Sequence, residues 1–390
     1  MTAVLNTLSL VDRVRVRLAS TGGEITPPVV AAAVRAEAGG VVSHVEVLAA
    51  LRLLHQEFSG AGLLDPLLRD PATTDVLVTA PDAVWVDRGH GLVRTAVRFS
   101  DEAAVRRLAQ RLALAAGRRL DDASPYVDAL LPDSRVRLHA VLAPIAADGT
   151  CLSLRTLRPA MHDLAALREL GAVDEDGWHL LRAVVEARLA FLIAGGTSSG
   201  KTTLLSALIG CVPSSERVVC VEDAEELRPA HPHVVRLVAR PPNIEGAGEV
   251  VLRDLVRQAL RMRPDRLIVG EVRGAEVCDL LAALNTGHEG GAGTVHANST
   301  REVPARLEAL ASLGGMSRMA LHSQLAAAVQ VVLHVAKGSD GVRRLEAVAS
   351  LSRTGGEVEA VPVWERRGGW TTDRGLLDDL LCDRGVRPRW

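Results

Sequence analysis

The chain is predicted to be an α/β protein in which a P-loop domain follows a smaller α+β domain and a short helical amino-terminal segment. Three observations predict this. Apolar strands alternate with helical patterns from about residue 165 to 340, which implies a mostly parallel sheet covered by helices. The glycine-rich stretch "GGTSSGKTT" joins one of those strands to a helix. In the region before them the hydrophobic period is two instead of 3.6.

The elements follow in order. Residues 1–60 carry Ala, Leu, Val and Arg at helical spacing, interrupted at Gly39-Gly40 and Gly60. Residues 61–158 form the α+β domain. There "TDVLVTAPDAVWVDRGHGLVRTAVRFS" alternates around Pro81-Asp82 and Gly89-His90-Gly91 and reads as antiparallel strands. Ser100 is placed to cap a helix carrying Val105, Leu108 and Leu112 on one face and ending at Gly117. Further strands are expected in "RVRLHAVLAPIA" and "TCLSLRTL". Residues 159–164, beginning at Pro159, read as a linker, 165–340 as the P-loop domain, and 341–390 as a hairpin and tail.

Composition narrows the function classes. The 390 residues are 48% hydrophobic and 24% charged, as in a globular protein with two or three domains. A net charge of -2 leaves no protein-wide basic field, and aromatics at 2% disfavour strand-stacking surfaces, so direct nucleic-acid binding is not expected. The five cysteines have no paired metal-ligand spacing, which favours free thiols in a reducing compartment. No apolar run is long enough to cross a bilayer, so a transmembrane segment is not expected.

In Gly195-Gly196-Thr197-Ser198-Ser199-Gly200-Lys201-Thr202-Thr203 the glycines let backbone N–H groups converge on phosphates. Lys201 then reaches the β and γ oxygens, and Thr202 offers its hydroxyl to Mg²⁺. The chain has only two lysines, Lys201 and Lys337, and one of them occupies the position the motif requires. ATP and Mg²⁺ are the ligands this implies.

A second apolar strand in such domains usually ends in Asp-Glu. Here it reads "RLIVGEVR", with Gly270 in the place of the aspartate and Glu271 alone. Other acids are available in "VVCVEDAEEL", where Glu222 and Asp223 stand at a strand's carboxyl end with Glu225 and Glu226 beyond it, the position where ligands bind in parallel sheets. By itself this stretch reads equally well as an exposed acidic turn. A third element, "TGHEGGAGTVHANS", places His288 and His296 in a Gly/Thr-rich turn.

Together these elements resemble the secretion-superfamily ATPases of type II and type IV secretion systems and of type IV and Tad/Flp pilus assembly. The resemblance runs through an Asp box (Glu222–Glu226), an atypical Walker B ("RMRPDRLIVGEVRG") and a His box ("TGHEGGAGTVHA"), and covers about residues 61–340. It implies a RecA-like P-loop NTPase domain behind a PAS-like domain, assembled as a homohexamer. The partner implied is a polytopic inner-membrane platform protein, and the location is cytoplasmic, at the inner face of the plasma membrane. It further implies that Glu271 orients or polarises the attacking water and that Glu222, Asp223 and Glu226 supply metal-shell and base support, Glu222 foremost. His296 would sense the γ-phosphate, and His288 would link it to the domain interface. Arg137 and Arg155 match the family's amino-terminal arginines, with Arg135 kept open because "LPDSRVRL" departs from the usual spacing. The absence of a four-cysteine module and the "LRMRPDRLIVGEVRG" stretch favour the Tad/Flp or type IV secretion branch. A conjugation-linked DNA-transfer motor and a nucleotide-responsive scaffold with little hydrolysis are the alternatives.

Overall fold

Period-two alternation in residues 75–94 becomes an antiparallel meander of β1 (Asp75–Ala80), β2 (Ala83–Asp87) and β3 (Leu92–Arg94) in the computed structural model of the chain. That model describes residues 13, 14, 17, 27–38, 60–132, 134–157, 162–243 and 245–390. They fall into two compact units, Met1–Leu157 and Arg158–Trp390. Of the expected helical segment 1–60, the described residues are α1 (Pro27–Ala38) and residues 13, 14 and 17, all helical, and Gly60 in a bend. Linker residues 159–161 lie outside the described set.

In the first unit, α2 (Asp65–Arg69) precedes the meander. The sheet continues through β4 (Tyr126–Leu130), β5 (Val136–Val141) and β6 (Cys151–Thr156) in the order β3-β2-β1-β6-β5-β4. β4 is a strand the sequence reading does not assign, although its burial alternates residue by residue. Helix α3 (Glu102–Ala115) covers one face with Val105, Leu108 and Leu112, which pack with Val76, Val78, Leu138 and Leu154. Its cap is Asp101, one residue later than expected, whose carboxylate accepts from the Ala104 N–H at 2.7 Å. Gly117 follows at φ +66°, the left-handed turn that ends helices.

In the second unit α4 (Leu164–Glu169) and α5 (Glu175–Glu186) are capped by Asp163 and Asp174. A central parallel run comprises β7 (Phe191–Ala194), β8 (Val218–Glu222), β9 (Val234–Val238), β10 (Arg266–Val272), β11 (Ala292–Val295) and β12 (Val331–Lys337). The helices between them are α6 (Lys201–Ile209), α7 (Leu252–Leu260), α8 (Glu276–Leu284), α9 (Val303–Leu313) and α10 (Arg318–Ala328). Residues 341–390 continue this sheet: β13 (Arg343–Thr354), β14 (Glu357–Glu365) and β15 (Gly369–Trp370) pair antiparallel onto β12 before α11 (Gly375–Asp383). The nine-stranded order is β15-β14-β13-β12-β7-β11-β10-β8-β9.

Strand β7 sits inside the sheet and shows why its sequence is apolar throughout. Phe191 and Ile193 enter the core on one face, Leu192 and Ala194 the core on the other. Its carboxyl end lies between those of β11 and β12, so loops after these strands converge on one edge of the sheet.

Candidate active site

β7 ends at Ala194, and the chain turns through residues 195–200 into α6. Two residues take left-handed conformations to make the turn, Ser198 at φ +59° and Gly200 at φ +98°. Gly195 has no room for a side chain, because a Cβ there would overlap the Val335 carbonyl and the Ser199 hydroxyl. Gly196, Thr197 and Ser198 form the exposed rim, Ser199 is buried, and Thr202 and Thr203 are half-buried in the first turn of α6. Unpaired N–H groups at a helix start favour an anion. Lys201 is buried there, and its Nζ donates to the Gly195 and Gly196 carbonyls at 2.9 and 2.8 Å.

The acids after β8 divide between two kinds of neighbour. Asp223 is paired with Arg273 at 2.8 Å, and Glu225 with Arg228 and Arg236 at 2.8 and 2.5 Å. Glu226 faces the loop: the Thr202 hydroxyl donates to its Oε2 at 3.3 Å. Glu222 is only 3% exposed, and its Oε1 accepts the N–H groups of Glu226 and Leu227 at 3.2 and 2.9 Å. Its Oε2 is buried without a partner. Burial outweighs the two N–H bonds and pushes the Glu222 carboxyl up to about 7. Glu222, the acid the sequence ranks first, thus lies beneath the site, and Glu226 is the one that touches Thr202.

Gly270 explains why Glu222 can lie there. A Cβ on Gly270 would stand 2.9 Å from Glu222 Cγ, so the bare backbone leaves the volume that the glutamate fills. At the same point β10 carries a bulge against β11. Val269 pairs with Gly293 and Val272 with Val295, so β10 spends one extra residue. The buried Thr294 hydroxyl donates to the Gly270 carbonyl at 2.7 Å across the bulge.

Within the bulge, Glu271 Oε1 lies 2.7 Å from His296 Nε2, and His296 Nδ1 lies 3.4 Å from Lys201 Nζ. An ammonium can only donate, so the neighbours assign the histidine tautomer: Nδ1 accepts and Nε2–H points at Glu271. Lys201 at the start of α6, Glu271 in β10 and His296 just after β11 are thereby joined.

His288 is not brought to this cluster within the chain. It precedes β11 whereas His296 follows it, so the strand's four residues, about 13 Å of extended backbone, separate them. Its Nδ1 bonds the Ala283 carbonyl at 3.1 Å and closes α8. The neighbouring glycines serve packing. A Cβ on Gly290 would overlap the buried Arg266 guanidinium, and one on Gly291 would overlap Leu284. In the first unit, Arg137 and Arg155 are register partners on β5 and β6, and Arg137 forms a bidentate pair with Asp128. Arg135 stands at φ +49° just before β5. Sequence reasoning missed Arg343, whose Nε donates to the Ser198 carbonyl at 2.8 Å. It also missed the Arg273 pairing of Asp223, for which the only signal was its place two residues after Glu271.

Residues 57–351 match the profile of the type II/IV secretion system protein family. A Mycobacterium tuberculosis protein provisionally named for conjugal transfer is 64% identical over 349 residues, 88% of this chain and 99% of that protein. The type IV secretion system protein PtlH of Bordetella pertussis is 32% identical over 310 residues, covering 72% of this chain and 91% of its own length. Among solved structures, the pilus retraction motor PilT with bound ADP superposes with a TM-score of 0.52 at 19% identity, covering 81% of this chain and 85% of that one, a likeness of fold.

Proposed function

The chain belongs to the type II/IV secretion system protein family, and on that premise we propose that it is a hexameric cytoplasmic ATPase coupling ATP hydrolysis to pilus assembly or protein secretion of the Tad/Flp or type IV kind. The observation that carries the reading is the Lys201–His296–Glu271 connection, which ties the phosphate-loop cation to the strand-end carboxylate through one imidazole.

The residues present fit Mg²⁺ with ATP. The Glu222 Oε2 has no partner and belongs to the carboxylate that holds the Glu226 N–H, and Glu226 in turn faces Thr202. Thr202 and Glu226 would hold the metal shell, with Glu222 and Asp223 as the acids around it. Bound Mg²⁺ supplies neutralisation of charge on the β and γ oxygens. Phosphate oxygens compete with the Gly195 and Gly196 carbonyls for Lys201, and as Lys201 moves toward them the contact to His296 lengthens. His296 in this way registers the γ-phosphate. Its Nε2–H holds one oxygen of Glu271, leaving the other to orient a water and accept its proton as the water oxygen attacks phosphorus and ADP departs. For positive charge at the transferring group the candidates are Arg137 and Arg155, since an arginine in that role is worth on the order of 10³ to 10⁵-fold in such enzymes.

We take the membrane partner to be a polytopic platform protein; among the described residues no helix is long and apolar enough to cross a membrane. Phosphate release by the purified protein tests the reading against Lys201→Ala and Glu271→Gln, and equal rates in all three would sink it. The name of the 64% identical relative supports a second reading, a conjugation-linked DNA-transfer motor. Salt-dependent DNA binding with DNA-stimulated turnover would favour that motor over a secretion ATPase.

A further inference from the structure

The end of the β12–β13 hairpin is built to deliver one cation to the outside of the phosphate loop. Its turn is braced by the Gly338 N–H on the Val342 carbonyl at 2.8 Å and by the Val342 N–H on Asp340 at 3.1 Å. Arg344 binds both oxygens of Asp340. Successive strand residues point to opposite sides, so fixing Arg344 on the turn sends Arg343 the other way. Arg343 Nε donates to the Ser198 carbonyl at 2.8 Å, and its stem covers Gly200, where an added Cβ would meet Arg343 Cδ at 3.2 Å. No ion pair engages Arg343 among the described residues.

The peptide it grips controls a phosphate donor. The Ser198 carbonyl and the Ser199 N–H belong to one trans peptide and point in opposite directions. Holding the carbonyl outward therefore turns the Ser199 N–H into the loop. There, among the described residues, it meets the Gly196 carbonyl at 3.4 Å, a long bond that a phosphate oxygen can replace. Ser198 stands at φ +59°, a conformation an L-residue keeps when its surroundings hold it.

We infer that Arg343 is a positioning residue for the phosphate loop, orienting the Ser198–Ser199 peptide toward the nucleotide's phosphates and adding its charge to the site from outside the loop. The inference rests on the ATPase reading. The contact makes the carboxyl-terminal hairpin part of the nucleotide site.

The test compares wild type, Arg343→Ala, Arg343→Lys and Lys201→Ala for ATP hydrolysis and for binding of a fluorescent ADP analogue. Arg343→Ala is expected to weaken analogue binding and raise the KM for ATP about tenfold, with kcat within about twofold. Arg343→Lys, which keeps a cationic donor, is expected to recover most of the affinity. Nucleotide-free melting temperatures should agree between the two. Unchanged KM and affinity in Arg343→Ala would overturn the inference, as would equal losses in both Arg343 variants accompanied by a lowered melting temperature. Wild-type turnover that Lys201→Ala fails to reduce would remove the ATPase reading itself and the inference with it.

Discussion

Gly270 and Glu222 share one volume: a Cβ on the glycine would stand 2.9 Å from the Cγ of the buried glutamate. The missing aspartate of the second strand is thus a space given to a carboxylate from the neighbouring strand β8. Gly270→Ala is expected to destabilise the protein by roughly 1–3 kcal/mol, as overpacking in a close-packed interior does. Urea unfolding measures it. In a Glu222→Ala background the same substitution should be nearly neutral, since the double change removes the overlap. Gly270→Asp, which restores the more usual residue, should lose stability and turnover instead of gaining them.

Burial of Glu222 gives a pH dependence whose sign follows from linkage. Its carboxyl is raised from 4.5 to about 7, so the folded chain holds a proton that the unfolded chain has released. The stabilisation from neutral Glu222 is complete below 4.5 and is lost as pH rises to about 7. Without Mg²⁺ and nucleotide, the difference in unfolding free energy between wild type and Glu222→Gln should shift by on the order of 3 kcal/mol over that window, in favour of the variant at higher pH. Paired denaturation series at successive pH values check this.

Glu271 and His296 should separate chemistry from binding. Glu271→Gln is expected to lower kcat by at least about 100-fold, the usual reach of a general base, with ADP affinity within about twofold. His296→Ala should fall between this variant and wild type, because Glu271 keeps its carboxylate but loses the donor that orients it. Single-turnover hydrolysis alongside equilibrium ADP binding distinguishes these outcomes.

The division of the Asp-box acids predicts different metal responses. Glu226→Gln should raise the Mg²⁺ concentration for half-maximal hydrolysis by about 10- to 100-fold, the range seen when a ligand's supporting shell is altered. Glu225→Gln, which disturbs only the pairs to Arg228 and Arg236, should move it by less than about twofold. A Mg²⁺ titration of phosphate release reads both.

Much of this molecule was legible because its signals are local. The nine residues 195–203 contain the turn, the lysine and the Thr202 hydroxyl within one strand-loop-helix step, and strand ends such as Val221-Glu222 and Gly270-Glu271 announce themselves by an apolar run meeting a charge. Strand β4 lacks such a signal: its burial alternates, but Tyr126 and Leu130 share the exposed face with Asp128, so its hydrophobicity does not. The Ser100 cap missed by one residue, since Ser100 and Asp101 are both good caps and only backbone geometry chooses between them.

The carboxylates show where local reading stops. Glu222, Asp223, Glu225 and Glu226 look alike in sequence, and which of them meets Thr202 depends on arginines at 228, 236 and 273 that remove two of the four. Arg343 had no local signal, since it reaches Ser198 from a hairpin 145 residues away.

By itself, then, the sequence determined the class of fold, the phosphate loop, and the strand ends at which chemistry could be placed, because strand period, glycine conformation and helix capping are properties of neighbouring residues. Only the tertiary structure decided that Glu226 faces Thr202, that Glu222 fills the space over Gly270, that His296 bridges Lys201 to Glu271, and that Arg343 holds the loop. The Glu222–Gly270 and His296 relations join strands adjacent in the sheet, and the other two reach across intervening strands, but all four link residues distant in the chain. They are set by register, by a bulge, and by the exclusion of one side chain from another's volume.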